Sequence, residues 1–204
     1  MYNLRQGYPY LYYTLSAITI IFIIAVPILT MRSFAEDRKN KTDQLMLTAP
    51  VPVAKVVLGK YLAMLAVFTV DIAVFCVTPL ILRAFGTIPM GESYIAILAF
   101  WLYGAASIAV GMFISALTES QVIAAVLTFV VLFTSYMMQS LTGLISSDGN
   151  WLTKILNCLD LYAPFEKFQG GCLDLTAILY YVTVIVLFNF FTVQAIQKRR
   201  WSIS

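Results

Sequence analysis

The chain has 204 residues, 61% of them hydrophobic and only 11% charged, with a formal net charge of +3 and no histidine. A soluble domain of this size carries about a quarter charged residues, so a water-soluble globule is excluded and a membrane-embedded protein is the class that fits. The small basic excess provides no field for nucleic acid, and no Cys-x-x-Cys or His–Cys spacing offers a metal site.

Residues 1–13 are polar and aromatic and lack the short apolar core of a cleavable signal peptide. Tyr2, Tyr8, Tyr10, Tyr12 and Tyr13 suit an interfacial belt at the outer end of a helix. A helix crossing about 30 Å of hydrocarbon needs about 20 apolar residues. Five runs meet that requirement: 11–31, 56–82, 94–117, 122–145 and 175–195. They are continuous rather than alternating, and an open strand edge cannot survive in lipid. The predicted fold class is therefore all-α, a polytopic membrane helical bundle forming one transmembrane domain over 1–204.

If the connection between the first two spans is cytoplasmic, that side holds Arg32, Arg38, Lys39, Lys41, Lys55, Lys60, Lys198, Arg199 and Arg200. The other side holds only Arg5, Arg83, Lys154 and Lys167. The positive-inside bias then places the N-terminus outside and the C-terminus in the cytoplasm. An odd span count with an external, signal-less N-terminus leads us to expect an upstream cytoplasmic segment and a first span beyond this reading frame. Pro27 and Pro79 lie within spans and are expected to bend them or to be tolerated near a helix end.

The first connection, 32–52, concentrates the chain's ionic character. Asn40 offers an N-cap, and Asp43 puts an acid in the first turn of a short helix. Leu45, Met46 and Ala49 share one face, and Pro50 and Pro52 end the helix. Its apolar side chains would be exposed unless something covers them. The segment is either an ordinary solvated loop or a coupling helix seated in a soluble subunit. The next two connections are short: Arg83–Ser93 carries the turn residues Gly86, Pro89 and Gly91, and in Thr118–Gln121 Thr118 and Ser120 are available as caps. In the external connection 146–174, Trp151, Leu152, Ile155, Leu156 and Leu159 recur at helical spacing, which predicts a short amphipathic helix at the interface, capped by Asn150. Gly170-Gly171 then breaks the chain before the last span. Cys158 and Cys172 both fall in this segment and can pair if that side is oxidising. Glu166 and Lys167 are solvated surface or part of an external gate.

Three stretches together resemble the membrane subunit of ABC-2 type transporters. They are Pro27-Ile-Leu-Thr-Met-Arg-Ser-Phe-Ala-Glu-Asp-Arg, Thr42-Asp-Gln-Leu-Met-Leu-Thr-Ala-Pro-Val with Val57-Leu-Gly-Lys-Tyr, and Phe113-Ile-Ser-Ala-Leu-Thr-Glu-Ser-Gln-Val-Ile-Ala-Ala. The ending Arg199-Arg200-Trp201 is similar too, and within the family the likeness is to gliding-motility-type and multidrug-type bacterial export permeases. The resemblance implies a six-span permease, lacking its first span here. It would dimerise with a same or related chain and bind separate ATP-binding subunits through a coupling helix. Glu36, Asp43, Leu45 and Pro50 match the family's loop pattern, and Glu119 lies in the second cytoplasmic turn. ATP and Mg would belong to the partner ATPase, with no cofactor on this chain. An extracytoplasmic accessory protein remains open, and the expected location is the cell membrane of a bacterium, in contact with lipid.

Val57-Leu-Gly59-Lys60-Tyr61 is not a phosphate loop, since Ala54 stands where the first glycine is needed and Tyr61 where a Ser or Thr is needed. Lys60 reads as a lysine snorkelling at the boundary. Asp71 is the one acid well inside a span; placing it there costs about 2.5–3.5 kcal/mol, so it must face the bundle or water. Its role is a hydrogen bond to a neighbouring helix or a contact to substrate or ion. Ser107, Gly111 and Ser115 recur every four residues, and small residues on one face serve close helix packing or line a pathway. Cys76 reads as inert core. The competing functions are a secondary carrier or channel, which needs more buried charge, and a passive scaffold subunit. An intramembrane enzyme would need paired catalytic groups that the spans do not supply.

Overall fold

In the computed structural model, residues 11–41, 51–83, 90–145, 160–166, 168 and 174–203 are described. They form α1 (Leu11–Thr30), α2 (Ala35–Lys39), α3 (Val53–Phe75), α4 (Thr78–Arg83), α5 (Met90–Leu117), α6 (Gln121–Ile145), α7 (Ala163–Glu166) and α8 (Leu175–Ile203). There is no strand among the described residues. Among the described residues, five helical stretches are long and apolar enough to cross a bilayer, and each overlaps one of the five predicted runs.

The differences lie at the ends and have local causes. The second span is broken at Cys76–Val77, and α4 restarts with Pro79 in its first turn. Proline has no N–H for the carbonyl of Phe75, four residues back. The Thr78 hydroxyl donates to that carbonyl instead, at 2.6 Å. Pro27, by contrast, stays inside a continuous α1. The last helix runs on to Ile203, well past the apolar run, because the polar tail can stay helical in water.

The long helix α5 is the axis of the bundle, buried along most of its length and packed against α1, α3, α6 and α8. Its contact with α1 and α3 is aromatic: the Phe22 ring lies 5.2 Å from Phe68, 5.2 Å from Phe100 and 5.6 Å from Tyr103. Tilted pairs at this spacing contribute about 0.5–1.5 kcal/mol each beyond the area they bury. The close approach needs small residues. A Cβ on Gly111 would stand 2.5 Å from the Thr30 hydroxyl, and one on Gly104 would stand 2.2 Å from the Phe68 ring.

Lipid offers no partner for a polar atom, so several buried hydroxyls turn back onto their own helix. Thr19, Thr30, Ser107, Thr128 and Thr192 each donate to the carbonyl four residues earlier. The outward faces instead carry large apolar side chains, such as Ile21, Val70, Val122 and Leu175.

Candidate functional site

Three places on this bundle hold polar chemistry that helix packing alone does not require. The first lies at the end bearing Arg32, Lys60 and Glu119, the basic end.

There α1 stops at Thr30 and the chain folds sideways into α2. Phe34 stands at the N-cap of α2 but has no side chain able to cap it. The cap comes from another helix. The Ser115 hydroxyl of α5 accepts the backbone N–H groups of Phe34 and Ala35, each at 3.1 Å, and donates to the Met31 carbonyl at 3.2 Å. A hydroxyl has one donor and two acceptor lone pairs, so Ser115 is used to capacity.

Arg38 makes the reciprocal contact. Its guanidinium donates to the Ala116 carbonyl at 2.8 Å, one of the free carbonyls at the C-terminal end of α5, and meets Glu119 at 3.2 Å. A cation suits the negative end of the helix dipole. The side chain of Arg38 is only 11% exposed, whereas that of Glu119 is 70% exposed, so the carbonyl contact carries more weight than the ion pair. Lys60 of α3 completes the clamp. Its ammonium reaches Asp37 and the Ser33 carbonyl and lies 4.5 Å over the Phe34 ring. It is thus held against α2 rather than simply reaching to the boundary. Glu36 is half-buried in the first turn of α2, and Asn40 is exposed just past its end. Lys41 adopts φ 57, the left-handed conformation that closes a helix. Asp43, Leu45, Met46, Ala49 and Pro50 lie outside the described residues, as do Cys158 and Cys172.

The second place is at the opposite end. The described part of the connection between α6 and α8 does not lie on the surface: Asp160, Leu161, Tyr162, Phe165 and Phe168 are all buried. Leu161 donates its N–H to the Ser135 hydroxyl at 2.7 Å, and the Tyr181 hydroxyl donates to the Leu161 carbonyl at 2.8 Å. Ser135 sits about 15 Å of helix short of the end of α6, so the chain re-enters the bundle. Phe165 packs against Phe100 and Tyr103, and Tyr162 against Tyr103 and Tyr136. Irregular backbone at this depth persists only where protein covers it and its polar groups are satisfied. Asp160 does the latter, accepting the N–H groups of Tyr162 at 2.9 Å and Ala163 at 3.0 Å. Burial pushes its carboxyl above the usual aspartate value despite those bonds. The helix predicted around Trp151, Leu152, Ile155, Leu156 and Leu159 lies outside the described residues.

The third place is a groove of about 620 Å³ between α1 and α3, backed by Phe100. Asp71 lines it. Ser107 and Gly111 are away from that groove, buried in the α5 packing face, with Ser115 on the same face one turn further on.

The sequence places Ser115 on a face for close packing or pathway lining, counts Arg38 only as a basic-side charge, and gives no site role to Asp37, Gly104, Ser135, Asp160 or Tyr181. One signal was present: Ser115 and Glu119, four residues apart, flank the end of α5, as Phe34 and Arg38, also four apart, stand at the N-cap and in the last turn of α2. Asp160, three residues ahead of a short helix with proline in its first turn, has the form of a cap.

The bundle and its polar ends define a multi-pass helical membrane protein with a structured connection at each face. Over residues 2–170 the chain matches the family described as ABC-2 family transporter protein, and it belongs to that family. It is therefore a transporter permease, a membrane transport component of a family that generally works with an ATP-binding subunit. No curated protein and no solved structure matches it significantly.

Proposed function

We propose that this chain is the permease subunit of an ATP-binding-cassette exporter, forming the translocation pathway as a dimer and driven by a separate ATPase. The supporting observation is the clamp at the basic end. Ser115, Arg38 and Lys60 join α2 to α5 and α3 through both side chains and backbone. A push on the segment that follows α2 is thereby delivered to the most buried helix of the bundle rather than lost in a loop. In this reading the basic end is cytoplasmic, and residues Asp43, Leu45, Met46, Ala49 and Pro50 meet the ATPase while Glu36, Asn40 and Glu119 border that contact. Moving a two-state pathway from one side to the other takes about 5.5 kcal/mol, within reach of ATP binding shared by two such segments.

The test is purification of the full-length protein from its native membrane, with wild type compared against Leu45→Asp combined with Met46→Asp. A P-loop ATPase identified with wild type and lost from the variant supports the reading. Arg38→Ala should keep the ATPase bound yet uncouple its turnover from the permease. Absence of any ATPase from the wild-type preparation would overturn the exporter assignment.

A further inference from the structure

We propose that the groove between α1 and α3 binds a lipophilic monocation, with Asp71 as its counter-ion. This names a substrate class for the permease reading, but the binding itself needs neither ATP nor a partner.

Lys60 and Arg83 mark the two ends of the second span, and Asp71 lies about 17 Å of helix from the first and about 18 Å from the second. It therefore stands near the middle of a hydrocarbon layer of about 30 Å. Its side chain is exposed on the bundle surface, and among the described residues it has no hydrogen-bond or ion-pair partner. An ionised carboxylate at that depth requires a cation or water beside it.

The walls around it are apolar and aromatic. Phe22 comes from α1, Phe68 and Phe75 from α3, and Phe100 from α5; Ala25 leaves open space on the α1 side. Aromatic faces attract a cation, more strongly where water is excluded. The volume, about 620 Å³, falls in the range of sites for drug-sized molecules.

A second copy of this chain and the lipid headgroups are poorly placed to supply the charge. A second copy of this chain has no lysine or arginine between Arg5 and Arg32, between Lys60 and Arg83, between Arg83 and Lys154, or between Lys167 and Lys198. Its spans therefore bring no cationic side chain to mid-depth. Lipid headgroups stay about 15 Å away at the interface. A hydrated inorganic cation gains nothing from four phenylalanine rings. An organic cation with an apolar body satisfies the carboxylate and the walls together.

The experiment uses the full chain in nanodiscs and measures equilibrium binding of radiolabelled tetraphenylphosphonium. Saturable binding is expected in wild type, retained in Asp71→Glu and weakened by about tenfold or more in Asp71→Asn. Ala25→Trp, which fills the groove and leaves the carboxylate intact, should also abolish it. Tetraphenylborate, of the same shape and opposite charge, should not compete. Equal affinity in wild type and Asp71→Asn would overturn the proposal, as would competition by tetraphenylborate or an absence of saturable binding. A change in dimer content in Asp71→Asn with cation binding unaltered would also overturn it and make a second copy the occupant. Loss of the exporter reading in the co-purification test would leave this binding result standing, so the two fail separately.

Discussion

Replacing Ser115 by alanine removes one hydroxyl from the face of α5 and tests whether the basic-end clamp is a structural joint. The backbone N–H groups of Phe34 and Ala35 lose their acceptor, and the Met31 carbonyl loses a donor. Phe34 is 3% exposed and Ala35 fully buried, so water does not readily replace the hydroxyl. A buried donor left without a partner costs about 1–3 kcal/mol, which puts the variant about 2–4 kcal/mol below wild type after partial relaxation. For a chain of this size that corresponds to a midpoint lowered by about 5–15 °C. Ser107→Ala is the matched control. Its hydroxyl donates only to the Tyr103 carbonyl of its own helix, and its loss should cost about 1 kcal/mol or less. Thermal unfolding of both variants in nanodiscs gives the comparison. If the two midpoints move equally, or Ser115→Ala does not move, the cross-helix cap is not what holds α2 in place.

Gly111→Ala should destabilise by about 1–3 kcal/mol, because the added Cβ meets the stiff, hydrogen-bonded Thr30; Gly104→Ala should cost less, since Phe68 borders the groove and can swing into it. Thermal midpoints of the two variants decide the order. Glu119→Gln should change stability by under about 0.5 kcal/mol, whereas Arg38→Ala should cost about 1–2 kcal/mol through the lost contact to Ala116, and equal effects would make the ion pair the important part. Burial raises the pKa of Asp160 in the folded chain, so the folded state holds this proton to higher pH than the unfolded chain does. Its contribution is fullest below the ordinary value of 3.8 and is lost as pH rises through the raised one. Wild type should therefore lose stability upward from 3.8, and Asp160→Asn, which keeps an acceptor oxygen, should remove that part of the pH dependence in a melting series.

Much of the architecture was legible from the chain alone. Continuous apolar runs about 20 residues long have one solution in lipid, a helix, because each backbone group must find its partner within the segment. That is why five spans could be placed from sequence and why each overlaps a long apolar helix among the described residues. Their ends were harder, since Pro79 interrupts a helix only as far as neighbouring groups allow, and here Thr78 repairs the gap. The recurrence of Ser107, Gly111 and Ser115 identified a face without revealing that its members do different work. Ser107 turns to its own helix, Gly111 admits Thr30, and Ser115 caps another segment.

Span number, fold class and family membership were properties of the sequence by itself, because solvent sets them: hydrocarbon selects the same element wherever a long apolar run occurs. Which helix is central, what caps α2, and how the connection before α8 is buried were decided only by tertiary structure. Those outcomes rest on pairs such as Phe34 with Ser115 and Leu161 with Tyr181, far apart in the chain. Local propensity and periodicity carry no information about such partners. A lone serine reads the same whether it fills space or closes a hydrogen-bond network. Only the packing of α1, α5 and α8 brings each hydroxyl to the backbone group that would otherwise be stranded away from water.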